Sequence, residues 1–138
     1  MTIKISRSFY NKKKRLRDSP SEVLESVALN MAIDAPQMSK HFVDTGAFIT
    51  SWQIVDGRRR GRPRGKSSHG KPRRKGDQNF ANAMASESQD QLMSDARKID
   101  FDSASVIVLR NGAPHARYVD AKHSKVMQQL RNKYGRYS

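Results

Sequence analysis

Ser19-Pro20-Ser21-Glu22-Val23-Leu24-Glu25-Ser26-Val27-Ala28-Leu29-Asn30-Met31-Ala32-Ile33-Asp34-Ala35-Pro36 is the stretch from which the fold is read. A serine before a proline, with a glutamate three residues on, is a helix start. The hydroxyl caps a free amide, the proline needs no donor in the first turn, and the glutamate can bond back. Val23, Val27 and Met31 then recur every four residues with Leu24, Ala28 and Ala32 beside them, while Glu22, Glu25 and Asn30 fall on the opposite side. That period predicts one long amphipathic helix with a single apolar face. Ala35-Pro36 is expected to end or kink it, and Gln37 to Phe42 to add a short second helix.

Moving toward the C-terminus, Phe48 to Val55 reads as a strand, rich in aromatic and β-branched residues, with Phe48, Thr50, Trp52 and Ile54 on one side and Trp52 facing the core. Asn79 to Lys98 returns to helical composition, and its polar middle, Ser86 to Asp90, predicts a late start. Ser105 to Leu109 is a second, buried strand, followed by an Asn111-Gly112 turn signal. Ser124 to Tyr134 closes the chain as a helix with Val126, Met127 and Leu130 inward and Lys125, Arg131 and Lys133 outward. The expected class is therefore α+β: a long N-terminal helix packed on a small, mostly antiparallel sheet, with further helices and a long basic loop. Two strands make a marginal sheet, so further pairing must come from elsewhere in the chain or from neighbours.

Two segments stand outside this pattern. Residues 1–18 form a basic N-terminal arm, carrying Lys4, Arg7, Lys12, Lys13, Lys14, Arg15 and Arg17, expected to be ordered only by a partner. Residues 19–138 form a single domain into which the basic loop 57–76 is inserted. From Gly57 to Gly76 no residue is apolar, and ten of the twenty are Arg or Lys: Arg58, Arg59, Arg60, Arg62, Arg64, Lys66, Lys71, Arg73, Arg74 and Lys75. Such a segment cannot build a core, and its length inside a small domain points to function. It can neutralise several phosphates at once, which gives affinity without sequence choice. Arg60-Gly61-Arg62-Pro63 resembles the core of an AT-hook, whose arginines enter the minor groove. A solvated basic face or a protein-binding arm has the same composition.

The whole chain has 138 residues, 27 Lys and Arg against 13 Asp and Glu, and a formal charge of +14 at pH 7. That charge makes a polyanion, DNA or RNA, the leading partner and an anionic membrane a weaker one. There is no cysteine, which removes disulfides, thiolate metal sites and cysteine nucleophiles together. No apolar run resembles a signal peptide or a membrane span, so synthesis in a cytoplasm without membrane attachment is expected. His41, His69, His115 and His123 are scattered and predict no metal site. Asp44, Asp56, Asp77, Asp100, Asp102 and Asp120 supply enough carboxylate to consider a metal-dependent nuclease, which needs several of them around one cation. No nucleophile elbow and no phosphate-cradling glycine loop accompanies them, so a protein that is not an enzyme and holds no cofactor is expected.

Two stretches carry a family resemblance. Val43-Asp44-Thr45-Gly46-Ala47-Phe48-Ile49-Thr50-Ser51-Trp52 resembles the D/R-T-G-x-L-x-x-S-[WI] signature that follows the long first helix in the tail-completion, or neck, proteins of tailed bacteriophages. Asn111-Gly112-Ala113-Pro114-His115-Ala116-Arg117-Tyr118-Val119-Asp120 resembles that family's later N-x-x-P-Y-A-x-x-[VL]-E, with His115 and Asp120 in place of the usual tyrosine and glutamate. The resemblance spans about Ser19 to Asp120 and marks Asp44, Thr45, Gly46, Ser51, Trp52, Asn111, Pro114, Ala116 and Tyr118 as packing residues. It implies a structural virion protein of the head-tail connector, a homo-oligomeric ring of typically six copies. Such a ring joins the head-completion or adaptor protein to the tail terminator or tail, around a channel through which DNA passes. Synthesis in the host cytoplasm and assembly into the neck follow from the same resemblance. A free, non-specific nucleic-acid-binding protein shares the charge and needs no ring.

Overall fold

The structure, a computed structural model, describes residues 2–6, 19–40, 47–57, 77–113 and 126–135. Among them, strand β1 (Thr2–Ser6) is followed by helix α1 (Pro20–Ser39), a single helical turn α2 (Ala47–Thr50), strand β2 (Trp52–Asp56), helix α3 (Gln78–Arg97), strand β3 (Val106–Asn111) and helix α4 (Val126–Tyr134). The class is α+β, with the N-terminal helix against a small antiparallel sheet and further helices around it.

The serine half of the expected cap forms. Ser19 stays extended and its Oγ accepts the Glu22 amide at 3.2 Å, with Pro20 at the first helical position. Leu24, Val27, Ala28, Met31, Ala32 and Ala35 are buried along one side of α1, and Glu22, Glu25 and Asn30 are exposed. Pro36 does not end the helix, which continues to Ser39, so no separate helix begins at Gln37. A proline inside a helix forfeits one backbone bond, at a cost of ~3 kcal/mol. Near the C-terminus two local bonds offset part of this. The Ser39 hydroxyl donates to the Ala35 carbonyl at 2.6 Å, and the Lys40 amide reaches the Gln37 carbonyl at 3.4 Å.

The sheet has the order β1-β3-β2, antiparallel throughout. Thr2 to Ser6 pair with Arg110 to Val106, and Trp52 to Asp56 with Asn111 to Ile107. Thr2–Ser6, expected as part of a basic arm, is instead a strand whose Ile3 and Ile5 enter the core. Alternation in Thr-Ile-Lys-Ile-Ser carries that signal, and the basic residues that follow it mask the pattern. It supplies the pairing that two strands lacked. The rest of the basic arm lies outside the described residues.

The strand expected from Phe48 begins instead with a single helical turn over Ala47–Thr50, and Phe48, Ile49, Thr50 and Ser51 are all buried. Phe48 meets Trp52 edge-on in the main core, with ring centroids 5.8 Å apart, and Ile49 joins Phe80, Ala81, Met84 and Ala85 of α3 in a second cluster. The strand proper starts at Trp52.

Helix α3 is unbroken from Gln78, not late, because Asp77 caps it: its Oδ1 accepts the amides of Asn79 at 3.1 Å and Phe80 at 3.3 Å. Strand β3 runs to Asn111, so that residue ends the strand and is not a hairpin turn. Helix α4 turns Val126, Met127, Leu130 and Tyr134 inward, leaves Arg131 and Lys133 exposed, and ties back to α1 through Asp34, which accepts from Lys133 Nζ at 2.6 Å and from the Tyr134 hydroxyl. The inner face of the sheet, with Ile3, Ile5, Trp52, Ile54, Ile107 and Leu109, packs on α1, α4 and Leu92 of α3. Each such fully buried aliphatic side chain stabilises by ~1.5–3 kcal/mol relative to exposure.

Candidate functional site

Of the nine residues that the resemblance marks for packing, Ser51, Trp52 and Asn111 lie within the described residues, and they form one joint. Trp52 and Asn111 are cross-strand partners. The Gly112 amide donates to the Ser51 carbonyl at 3.2 Å, continuing the ladder beyond the strand ends. Asn111 is buried, and its Nδ2 donates to the Phe48 carbonyl at 2.7 Å while its Oδ1 accepts the Ala113 amide at 2.9 Å. One side-chain amide thus satisfies an orphan carbonyl of the α2 turn and the first free amide after β3. Trp52, fully buried, donates from Nε1 to Ser39 Oγ at 2.8 Å, and that hydroxyl donates its own proton to the Ala35 carbonyl. The joint ties the end of α1, the α2 turn, β2 and β3 together.

Ser39 is not marked by any signal in the sequence, and Asn111 is marked there for a turn and, through the resemblance, for packing. A serine four residues beyond a carbonyl in a helix is a known back-bonding position, but nothing in the sequence indicates that an indole would use its oxygen. Asp44, Thr45, Gly46, Pro114, Ala116 and Tyr118 lie outside the described residues. So do Arg58, Arg59, Arg60, Arg62, Arg64, Lys66, Lys71, Arg73, Arg74 and Lys75, and the four histidines.

The ends of the basic segment are nevertheless fixed. Gly57 leaves β2 with its amide on the Val106 carbonyl at 2.9 Å, and an added Cβ there would meet the Val106 Cβ at 3.3 Å. Asp77 closes the segment as the cap of α3.

Charge is sharply divided. Of the 27 basic residues seven are in the described part, against ten of the 13 acidic ones, so the described residues carry −3 and the remainder +17. A groove of about 470 Å³ between the start of α1 and the loop after α3 is lined by Glu22, Glu25, Asp100 and Asp102 with Arg97. Asp100 and Asp102 sit in a turn before β3, where Asp100 Oδ1 accepts the Asp102 amide at 3.1 Å. Among the described residues no three His, Asp or Glu side chains are grouped to hold a metal ion, and no helix is long and apolar enough to cross a membrane. Ser51 Oγ, Gln53 Oε1, Ser88 Oγ and Arg110 Nε are buried without a hydrogen-bond partner among the described residues.

Comparison with protein-family models, with curated proteins and with solved structures returned no match.

Proposed function

We propose that the chain is a structural, non-enzymatic subunit of the neck of a tailed bacteriophage, a tail-completion protein that forms a ring, six copies in the form the resemblance implies. The ring joins the head-completion or adaptor protein to the tail terminator or tail and surrounds the channel through which DNA passes. The observation that carries this reading is the joint: the two stretches that resemble the neck family, far apart in sequence, meet through the Trp52 and Asn111 register and the bond from Asn111 to the Phe48 carbonyl. A ring subunit acts through its packing, so holding the shape of a joint is function enough for such residues.

The division of charge supports the second half of the reading. A net acidic body bearing strongly basic segments suits a protein that holds itself in an assembly while presenting cations to DNA or to an acidic neighbour, and many copies multiply a weak contact. The same charge favours one other reading, a non-specific nucleic-acid-binding protein acting through residues 57–76. Removal of the chain from an infection separates them: a neck subunit predicts filled heads and free tails that accumulate unjoined. Normal particle yield without the chain overturns the proposal.

A further inference from the structure

A three-stranded sheet has two edges, and here they differ. In an antiparallel pair, bonded and non-bonded positions alternate. The bonds from Gly57 to Val106 and from Gly112 to Ser51 fix the phase on β2: Gln53 and Val55 turn their main-chain groups toward β3, and Trp52, Ile54 and Asp56 turn theirs outward. That outward side is closed, because α3 packs beside it and Asp95 Oδ2 accepts the Ile54 amide at 3.4 Å. On β1 the phase follows from β3, whose remaining groups at Ile107 and Leu109 take Ile5 and Ile3. The main-chain groups of Thr2 and Lys4 therefore point away from the sheet. Both residues are exposed, and no described residue bonds to those groups.

An open edge is a template for another strand, and charge selects what fits. The Lys4 side chain is exposed beside the edge, and Arg7, Lys12, Lys13, Lys14, Arg15 and Arg17 follow in sequence. A second copy of β1 brings its own Lys4 to this edge, and like charges across a ladder are destabilising. We infer that the β1 edge docks an extended acidic strand of a partner protein, with main-chain bonds at Thr2 and Lys4 and a carboxylate opposite Lys4. The inference rests on register and charge and not on the neck reading, so either can fail without the other.

The test uses the full chain and an eight-residue peptide of alternating glutamate and valine, followed by amide exchange and shift changes in nuclear magnetic resonance. Binding is expected to slow exchange at the Lys4 amide and to weaken with salt. Two variants separate main chain from charge. Lys4→Thr keeps the outward amide and removes the charge, and a loss of about threefold is expected. Lys4→Pro removes both, yet spares the ladder to β3 because that amide faces away from it, and a further loss of about tenfold is expected. Methylating the peptide nitrogens of one alternate set abolishes binding and methylating the other set does not, a result independent of any variant's folding. Equal affinity of Lys4→Pro and Lys4→Thr overturns the inference, as does an unprotected Lys4 amide with peptide in excess. Protection of Lys4 that grows with protein concentration alone also overturns it, assigning the edge to a second copy.

Discussion

Replacing Ser39 with alanine tests the joint at its least obvious member. The Trp52 indole is fully buried and its Nε1–H is accepted by Ser39 Oγ at 2.8 Å. Removing the oxygen strands that donor away from water, which costs about 1–3 kcal/mol, and the missing bond to the Ala35 carbonyl adds a fraction more. The volume change is small, so nearly all of the effect is polar. Trp52→Phe removes the donor instead: Ser39 keeps its bond to Ala35, and the cost of about 2 kcal/mol comes from the cavity. In the Trp52→Phe background there is no donor left to strand, so Ser39→Ala should cost less than about 1 kcal/mol. The two single losses therefore exceed the double loss by about 1–2 kcal/mol, a coupling that a double-mutant cycle measures. Urea unfolding followed by circular dichroism is the suitable assay, because Trp52 is the sole tryptophan and its replacement removes the fluorescence signal. A Ser39→Ala variant within roughly 0.5 kcal/mol of the parent, or equal costs in both backgrounds, refutes the relay.

Asn111→Ala leaves the Phe48 carbonyl and the Ala113 amide without their partner, and a loss of about 2–3 kcal/mol in the same assay is expected. Pro36→Ala restores the amide that α1 lacks opposite Ala32, and it should raise the urea midpoint by an amount equivalent to about 1–3 kcal/mol. Deleting Arg58 to Lys75 removes ten positive charges and no apolar side chain, so the unfolding midpoint should change little. The same deletion should flatten the salt dependence of duplex DNA binding, by about 0.9 in the logarithmic slope for each phosphate that the segment neutralises. Unchanged DNA affinity at low salt in that variant would sink the DNA-facing role of the segment.

Local signals in the sequence locate α1, α3, α4 and β3 because each has its own period and, for α1, its own cap. The Ser19 cap and the inward set Val126, Met127 and Leu130 need no tertiary information. What the sequence hides depends on contacts between distant residues. Thr2–Ser6 is a strand only because β3 is there to pair with it, and five residues before a basic run carry too little pattern alone. The turn at Ala47–Thr50 looks like strand by composition, and nothing local marks it as helical; its Phe48 and Ile49 pack into two separate clusters built from residues distant in sequence. Pro36 reads as an end or a kink, and the helix runs through it to Ser39, with Ala35 and Pro36 buried and Ser39 bonded back to the Ala35 carbonyl. The candidate joint is half legible: Trp52 and Ser51 are marked through resemblance, while Ser39 and the bridging role of Asn111 emerge only when the strands are in register.

Imaging of the native assembly would give the copy number and the neighbours of this chain. A neck subunit appears there as a closed ring of copies on the axis between portal and tail, with the segment 57–76 directed at DNA or at an acidic neighbour. A chain absent from every particle and bound along nucleic acid as a monomer or dimer contradicts the neck reading, and would leave the charge as the whole basis of its function.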